Sequence, residues 1–121
     1  MTDPAAPAHR VERLEHRCAI EQLTARRAHL QSPGLNGAET DECWSRRDDI
    51  TFDAEDRGVR EDRAAVRQEY VDCSPFPDGT RGMLIEHLLT TAGVEVAADF
   101  ETAKGVWTAP GHETFPVVPG E

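Results

Sequence analysis

Aromatic side chains are scarce in this sequence, at 6% of residues, too few for the platform on which single-strand nucleic-acid binders stack successive bases. Cationic charge is in deficit as well: 13 lysines and arginines face 23 aspartates and glutamates, giving a formal net charge of -10. Such a field repels phosphate backbones and anionic lipid, so neither nucleic acid nor a membrane is expected as a partner. The cysteines Cys18, Cys43 and Cys73 are widely spaced and form no C-x-x-C pair. They suggest neither a disulfide framework nor a zinc knuckle and suit a reducing compartment. No run approaches the roughly 20 apolar residues of a membrane helix, and the opening Met1-Thr2-Asp3-Pro4-Ala5-Ala6-Pro7 lacks the basic and apolar regions of an export signal. A cytoplasmic location is the expectation. P-loop, Gly-rich dinucleotide and Gly-x-Ser-x-Gly motifs are absent too, which leaves nucleotide cofactors and serine-hydrolase chemistry without support.

What remains is a chain of 121 residues, the size of one domain, with 38% hydrophobic residues to build a thin core. Residues 1–9 are rich in proline and alanine and are expected as a flexible tail, with 10–121 forming the domain. Strong helix formers run from Val11 to Leu30 and stop at Ser32-Pro33-Gly34. This helix carries two apolar stripes, Val11, Leu14 and Cys18 on one side and Ile20, Leu23 and Leu30 nearly opposite, which predicts packing on two sides. A second helix is expected over 38–47, a short strand over 49–53, a turn over 54–58 and a third helix over 62–71, with Val66, Tyr70 and Cys73 in one stripe. Extended segments over 83–96 and 102–109 read as an antiparallel hairpin with an irregularity at Ala92-Gly93. Helices followed by a long hairpin predict an α+β fold, with helices packed on one face of an antiparallel sheet.

Four stretches then become informative through their order: Ala19-Ile20-Glu21-Gln22-Leu23, Asp48-Asp49-Ile50-Thr51-Phe52, 65–72 beginning Ala65-Val66-Arg67, and His87-Leu88-Leu89-Thr90-Thr91. With Val94-Glu95-Val96, Thr102 to Trp107 and Pro110-Gly111-His112-Glu113-Thr114, they resemble the SnoaL-like branch of the nuclear transport factor 2-like superfamily. The resemblance implies a cone in which a curved sheet wraps helix one and leaves a pocket between them. It also implies relatives that are polyketide cyclases, dehydratases, isomerases or plain binding modules, so fold alone does not choose the function. Two departures stand out. Arg27 occupies the place of the usual pocket aromatic, and the chain stops at Glu121 after Phe115-Pro116-Val117-Val118, so the closing strands are expected to be missing from a C-terminally shortened domain.

Arg27 completes the stripe of Ile20, Leu23 and Leu30 and is drawn inward by periodicity. A buried guanidinium needs an anionic partner, a protein carboxylate or a ligand acid, unless the side chain snorkels to water. In related pockets a histidine at the place of His87 acts as general acid, base or hydrogen-bond donor; the other reading is a core histidine bonded to its neighbours. His112 approaches His87 only if the hairpin register permits, and otherwise is a surface histidine. Leu23, Tyr70, Trp107 and His112 are the candidate ligand contacts, although Tyr70 also reads as packing with a polar tip and Trp107 as a sheet-face anchor. His87, His112 and Glu113 have no spacing that supports a metal centre, so no metal is expected. The acidic residues Asp48, Asp49, Asp53 and Asp56 read as surface.

The expectation is thus a small-molecule pocket protein for a small hydrophobic or ketone-bearing ligand, a cyclase, dehydratase or isomerase working by proton transfer without a cofactor. In that scheme His87 moves the proton and Arg27 holds an anionic or enolate oxygen. A non-catalytic binding or dimeric assembly module, or a truncated inactive family member, stands beside it, and a homodimer is expected because the hairpin leaves an open edge.

Overall fold

The protein is described here by a computed structural model that covers residues 6–55, 58–72 and 84–114. The first helix, α1, spans Ala6–Gln31. It starts ahead of the boundary expected for a flexible tail, because Pro7 falls in the first turn, where backbone donors have no helical partner and a fixed φ costs nothing. It ends as the sequence requires. Gly34 takes φ 77, its N–H donates to the Gln31 carbonyl and the Leu35 N–H to the Leu30 carbonyl, both at 2.9 Å. These bonds satisfy the last carbonyls in a glycine-terminated cap.

Helix α2 spans Asn36–Cys43 and is shorter than the expected 38–47, because Trp44 leaves it with extended backbone, φ -89 and ψ 147. Strand β1, Thr51–Ala54, pairs antiparallel with β2, Gly58–Glu61, in the register Thr51↔Glu61 to Ala54↔Gly58. The polar sequence Gly58-Val59-Arg60-Glu61 conceals this second strand. Helix α3, Arg63–Arg67, is capped by Asp62, whose carboxylate accepts from the Ala65 N–H at 2.9 Å. Residues Gln68–Asp72 continue it as a wider turn of π-helix, the form that often marks functional or irregular positions. Val66 is fully buried and Tyr70 half-buried; Cys73, the third member of that stripe, lies outside the described residues.

The later chain is a two-stranded ribbon. Strand β3, Leu84–His87, pairs with β6, Gly111–Thr114, and β4, Thr90–Val96, pairs with β5, Ala103–Thr108. One register runs from Leu84↔Thr114 through the Leu88 N–H to Pro110 carbonyl bond to Thr90↔Thr108, then shifts between Thr90 and Gly93. That shift is the irregularity expected at Ala92-Gly93. The ribbon is longer than the expected hairpin. Pro110 removes one ladder donor, and pairing resumes beyond it.

The fold is α+β, and among the described residues no sheet has more than two strands. Helix α1 joins both halves: it packs on α2 and on β4. The contact face repeats at His9, Arg13, His16, Ile20, Leu23, Arg27 and Leu30, one helical stripe. The expected second stripe is not covered, since Val11 and Leu14 are 53% and 55% exposed and Cys18 is exposed too. The early hairpin contact is instead made by rings and a guanidinium. Among the described residues Leu30, Val66 and Val96 are the buried hydrophobic side chains.

Candidate functional site

Among the described residues two places concentrate chemistry, one at each half of α1. At the C-terminal half, Arg27 Nε donates to Glu39 Oε1 at 2.7 Å and Arg27 Nη2 to the Tyr70 hydroxyl at 3.0 Å. Its guanidinium also lies 5.6 Å from the centre of the Trp44 ring, within cation–π range. Trp44, Phe52 and Tyr70 pack edge to face or tilted at 5.2 to 5.9 Å between centroids, the separation aromatic quadrupoles favour. The cluster ties α1, α2, β1 and the π turn together.

Glu39 exposes no surface. Its Oε2 has no hydrogen-bond partner, and neither does the Trp44 indole nitrogen. Burial pushes the Glu39 carboxyl above its ordinary range, while the Arg27 hydrogen bond and charge and the nearby indole N–H pull the other way without reversing the shift. Burial acts to lower the Arg27 pKa, but Tyr70 and Glu39 outweigh it and the guanidinium is held above its ordinary value. The anionic partner that Arg27 requires is therefore a protein carboxylate.

At the N-terminal half, the tip of the β4–β5 hairpin rests on α1. Phe100, in the turn, stacks on His9 at 4.7 Å and tilts against His16 at 5.0 Å, with the Arg13 guanidinium 5.3 Å from the ring centre. Arg13 Nη1 also donates to the Val96 carbonyl at 2.6 Å. Phe100 holds φ 63, a region that bulky side chains avoid. Between helix and hairpin lies an open cleft of about 330 Å³, lined by His16, Ile20 and Leu23 on one wall and Val96, Phe100 and Thr102 on the other. The Nε2 of His16 is buried without a hydrogen-bond partner and stands 3.6 Å from Glu12 Oε1.

Of the residues singled out by sequence, Arg27 and Tyr70 meet in the first place, and Leu23 lines the second. His87 and His112 fall on the ribbon's base. His87 stands opposite Gly111 and His112 opposite Glu86; neighbouring cross-strand pairs point to alternate faces, so the two histidines face opposite ways and share no pocket. His112 is exposed, with Nε2 3.5 Å from Glu86 Oε2. His87 is half-buried and crosses Gly111, where any Cβ would collide with its ring and with the Glu86 carbonyl. Trp107 is half-buried, its indole lying over Gly105. The cleft's lining includes neither Arg27 nor His87.

Sequence reading missed Glu39, Trp44, His16 and Phe100 as site residues. The available signal for Glu39 was positional: it lies one helical turn from both Leu35 and Cys43, an acid among residues that favour burial. No described helix is long and apolar enough to cross a membrane. No protein-family model matches this chain, and neither a curated protein nor a solved structure does.

Proposed function

We propose that this chain is a small-molecule pocket protein of SnoaL-like type, and that it binds a small hydrophobic or ketone-bearing ligand between α1 and the β4–β5 hairpin without converting it. The observation that supports this reading most is the cleft of about 330 Å³ at the place where the hairpin lies over the helix, the low end of the size range of ligand pockets. Its walls are mainly apolar with a few polar groups. The proton-transfer pair expected from the resemblance, His87 with Arg27, is absent from the lining, and Arg27 is already held by Glu39. A homodimer belongs to the same proposal: Val106 is 70% exposed and Leu88 54%, and a second copy would remove such surface from water.

The test is a titration with 2-acetylnaphthalene. Saturable binding that is lost in Ala19→Trp, which fills the cleft that Ala19 lines, and kept in Glu39→Gln supports the reading; absence of saturable binding rejects it.

One observation favours the catalytic reading. Glu39 is a buried carboxyl whose pKa burial raises, with one oxygen on Arg27 and the other unpartnered, an environment of the kind found at proton-exchanging carboxyls. Turnover of a hydroxy-ketone that disappears in Glu39→Gln would replace simple binding by a cofactor-independent cyclase, dehydratase or isomerase.

A further inference from the structure

We infer that a second copy of the chain docks on α1, parallel to it, along the stripe Val11, Leu14 and Cys18, and that the charges flanking this stripe set the direction of the pair. The inference rests on the homodimer proposed above and names a face and an orientation for it.

Helix α1 packs one side on α2 and β4. The stripe lies on the opposite side, with Val11 53% and Leu14 55% exposed and Cys18 exposed as well. Its spacing of i, i+3 and i+7 is the repeat by which core positions recur where two helices pair side by side. Glu21 is the next position of that repeat and closes the seam, because two copies would set acid against acid there. The seam is therefore about two helical turns long.

Charge identifies the occupant. The chain carries a net charge of -10, so two copies repel over most of their surface. On α1 arginines outnumber glutamates by five to three, which makes this helix the side that a second acidic copy approaches at least cost. The direction of the pair follows from the flanks. Exposed Arg10 and Arg17 border the stripe on one side, and exposed Glu15 and Gln22 border it on the other. When two such helices run parallel, each flank meets the unlike flank of the other copy, so Arg10 faces Glu15 and Arg17 faces Gln22 across the seam. When they run antiparallel, like flanks meet, arginine against arginine. A parallel pair about a two-fold axis is closed and brings the two Cys18 side chains into one layer. Three side chains from each copy fall well short of a standard interface, so the dimer is expected to dissociate on dilution.

Sedimentation equilibrium over a concentration series tests the contact through exposed positions. Leu14→Glu is expected to leave a monomer with an unchanged melting temperature. Glu15→Arg should weaken the dimer about five- to tenfold, the range of two exposed pairs turned from attraction to repulsion. Adding Arg10→Glu to Glu15→Arg should restore the association, as only unlike flanks in register allow. In the unsubstituted protein a short bis-maleimide should join Cys18 to Cys18, identified by peptide mapping, a readout that stands even if a variant fails to fold. A dimer that survives Leu14→Glu but not Val106→Glu, charge reversals that do not compensate, or absence of the Cys18 cross-link in a dimer overturns the inference and leaves the homodimer standing. A monomer at every concentration overturns both, as does a monomer that Leu14→Glu destabilises, since its own chain would then cover the stripe.

Discussion

Arg27 and Glu39 meet at 2.7 Å across the angle between the first two helices, and the carboxylate exposes no surface while the guanidinium side chain remains 38% exposed. The pair is asymmetric: Arg27 retains access to water, whereas the fully buried Glu39 has Arg27 as its charge partner among the described residues. Removing the arginine strands a buried anion, and removing the acid frees a cation that is able to turn outward.

The asymmetry makes the stability of Arg27→Ala depend on pH. Burial raises the folded pKa of Glu39 above its unfolded value, so this group favours folding most below the unfolded carboxyl range, and that contribution is lost as pH rises through the folded value. Without Arg27 the folded value climbs further. Urea unfolding at neutral pH is expected to show a loss of about 2–3 kcal/mol, discounted from the range for broken buried pairs because Arg27 is partly exposed. At pH 4 the deficit should shrink; an equal deficit at both pH values would mean that Glu39 is not the stranded group.

Gly105→Ala is expected to destabilise the hairpin by about 1–3 kcal/mol, because a methyl group there occupies the space of the Trp107 indole. A red shift in indole emission should accompany the loss. Unchanged emission with unchanged melting would show that the indole does not lie over residue 105.

Thr91 holds φ 52 in the irregular part of the ribbon, and a β-branched residue pays for this left-handed conformation. Thr91→Gly should therefore raise stability by about 0.5–1 kcal/mol despite the freer unfolded chain. A lower melting temperature would count against the strained register.

Phe100→Ala should release the hairpin tip from α1, moving the imidazole resonances of both His9 and His16 while those of His112 stay in place, since only the first two contact the ring. The melting temperature should fall as well, by the equivalent of about 3 kcal/mol or less for a half-buried aromatic side chain.

Much of the architecture was legible in the residues, and the unread parts share a physical cause. Gly34 announced the end of α1, and Ala92-Gly93 announced the irregularity between β4 and β5. Ile20, Leu23 and Leu30 gave half of the face that α1 turns toward its neighbours, although Leu23 stays 48% exposed beside the open cleft. The other half is His9, Arg13 and His16, which pack through ring faces and a guanidinium plane, a mode that hydropathy does not score. Glu39 was hidden for the opposite reason: among 23 acidic residues, one that turns inward is marked only by its position on α2. The sequence pattern carries the hairpin only to Ala109, so strand β6 was legible only through the resemblance of the stretch Pro110 to Thr114. His87 and His112 were nominated as types suited to proton chemistry, but only the register, Glu86 opposite His112, assigns them to opposite faces.

Pro110 has a mechanical consequence. It accepts from Leu88 but has no proton to return, so the β-ribbon carries a seam between its base at 84–87 with 111–114 and its tip at 90–108. The seam uncouples their unzipping, and the two parts should exchange amide protons for deuterium at separate rates.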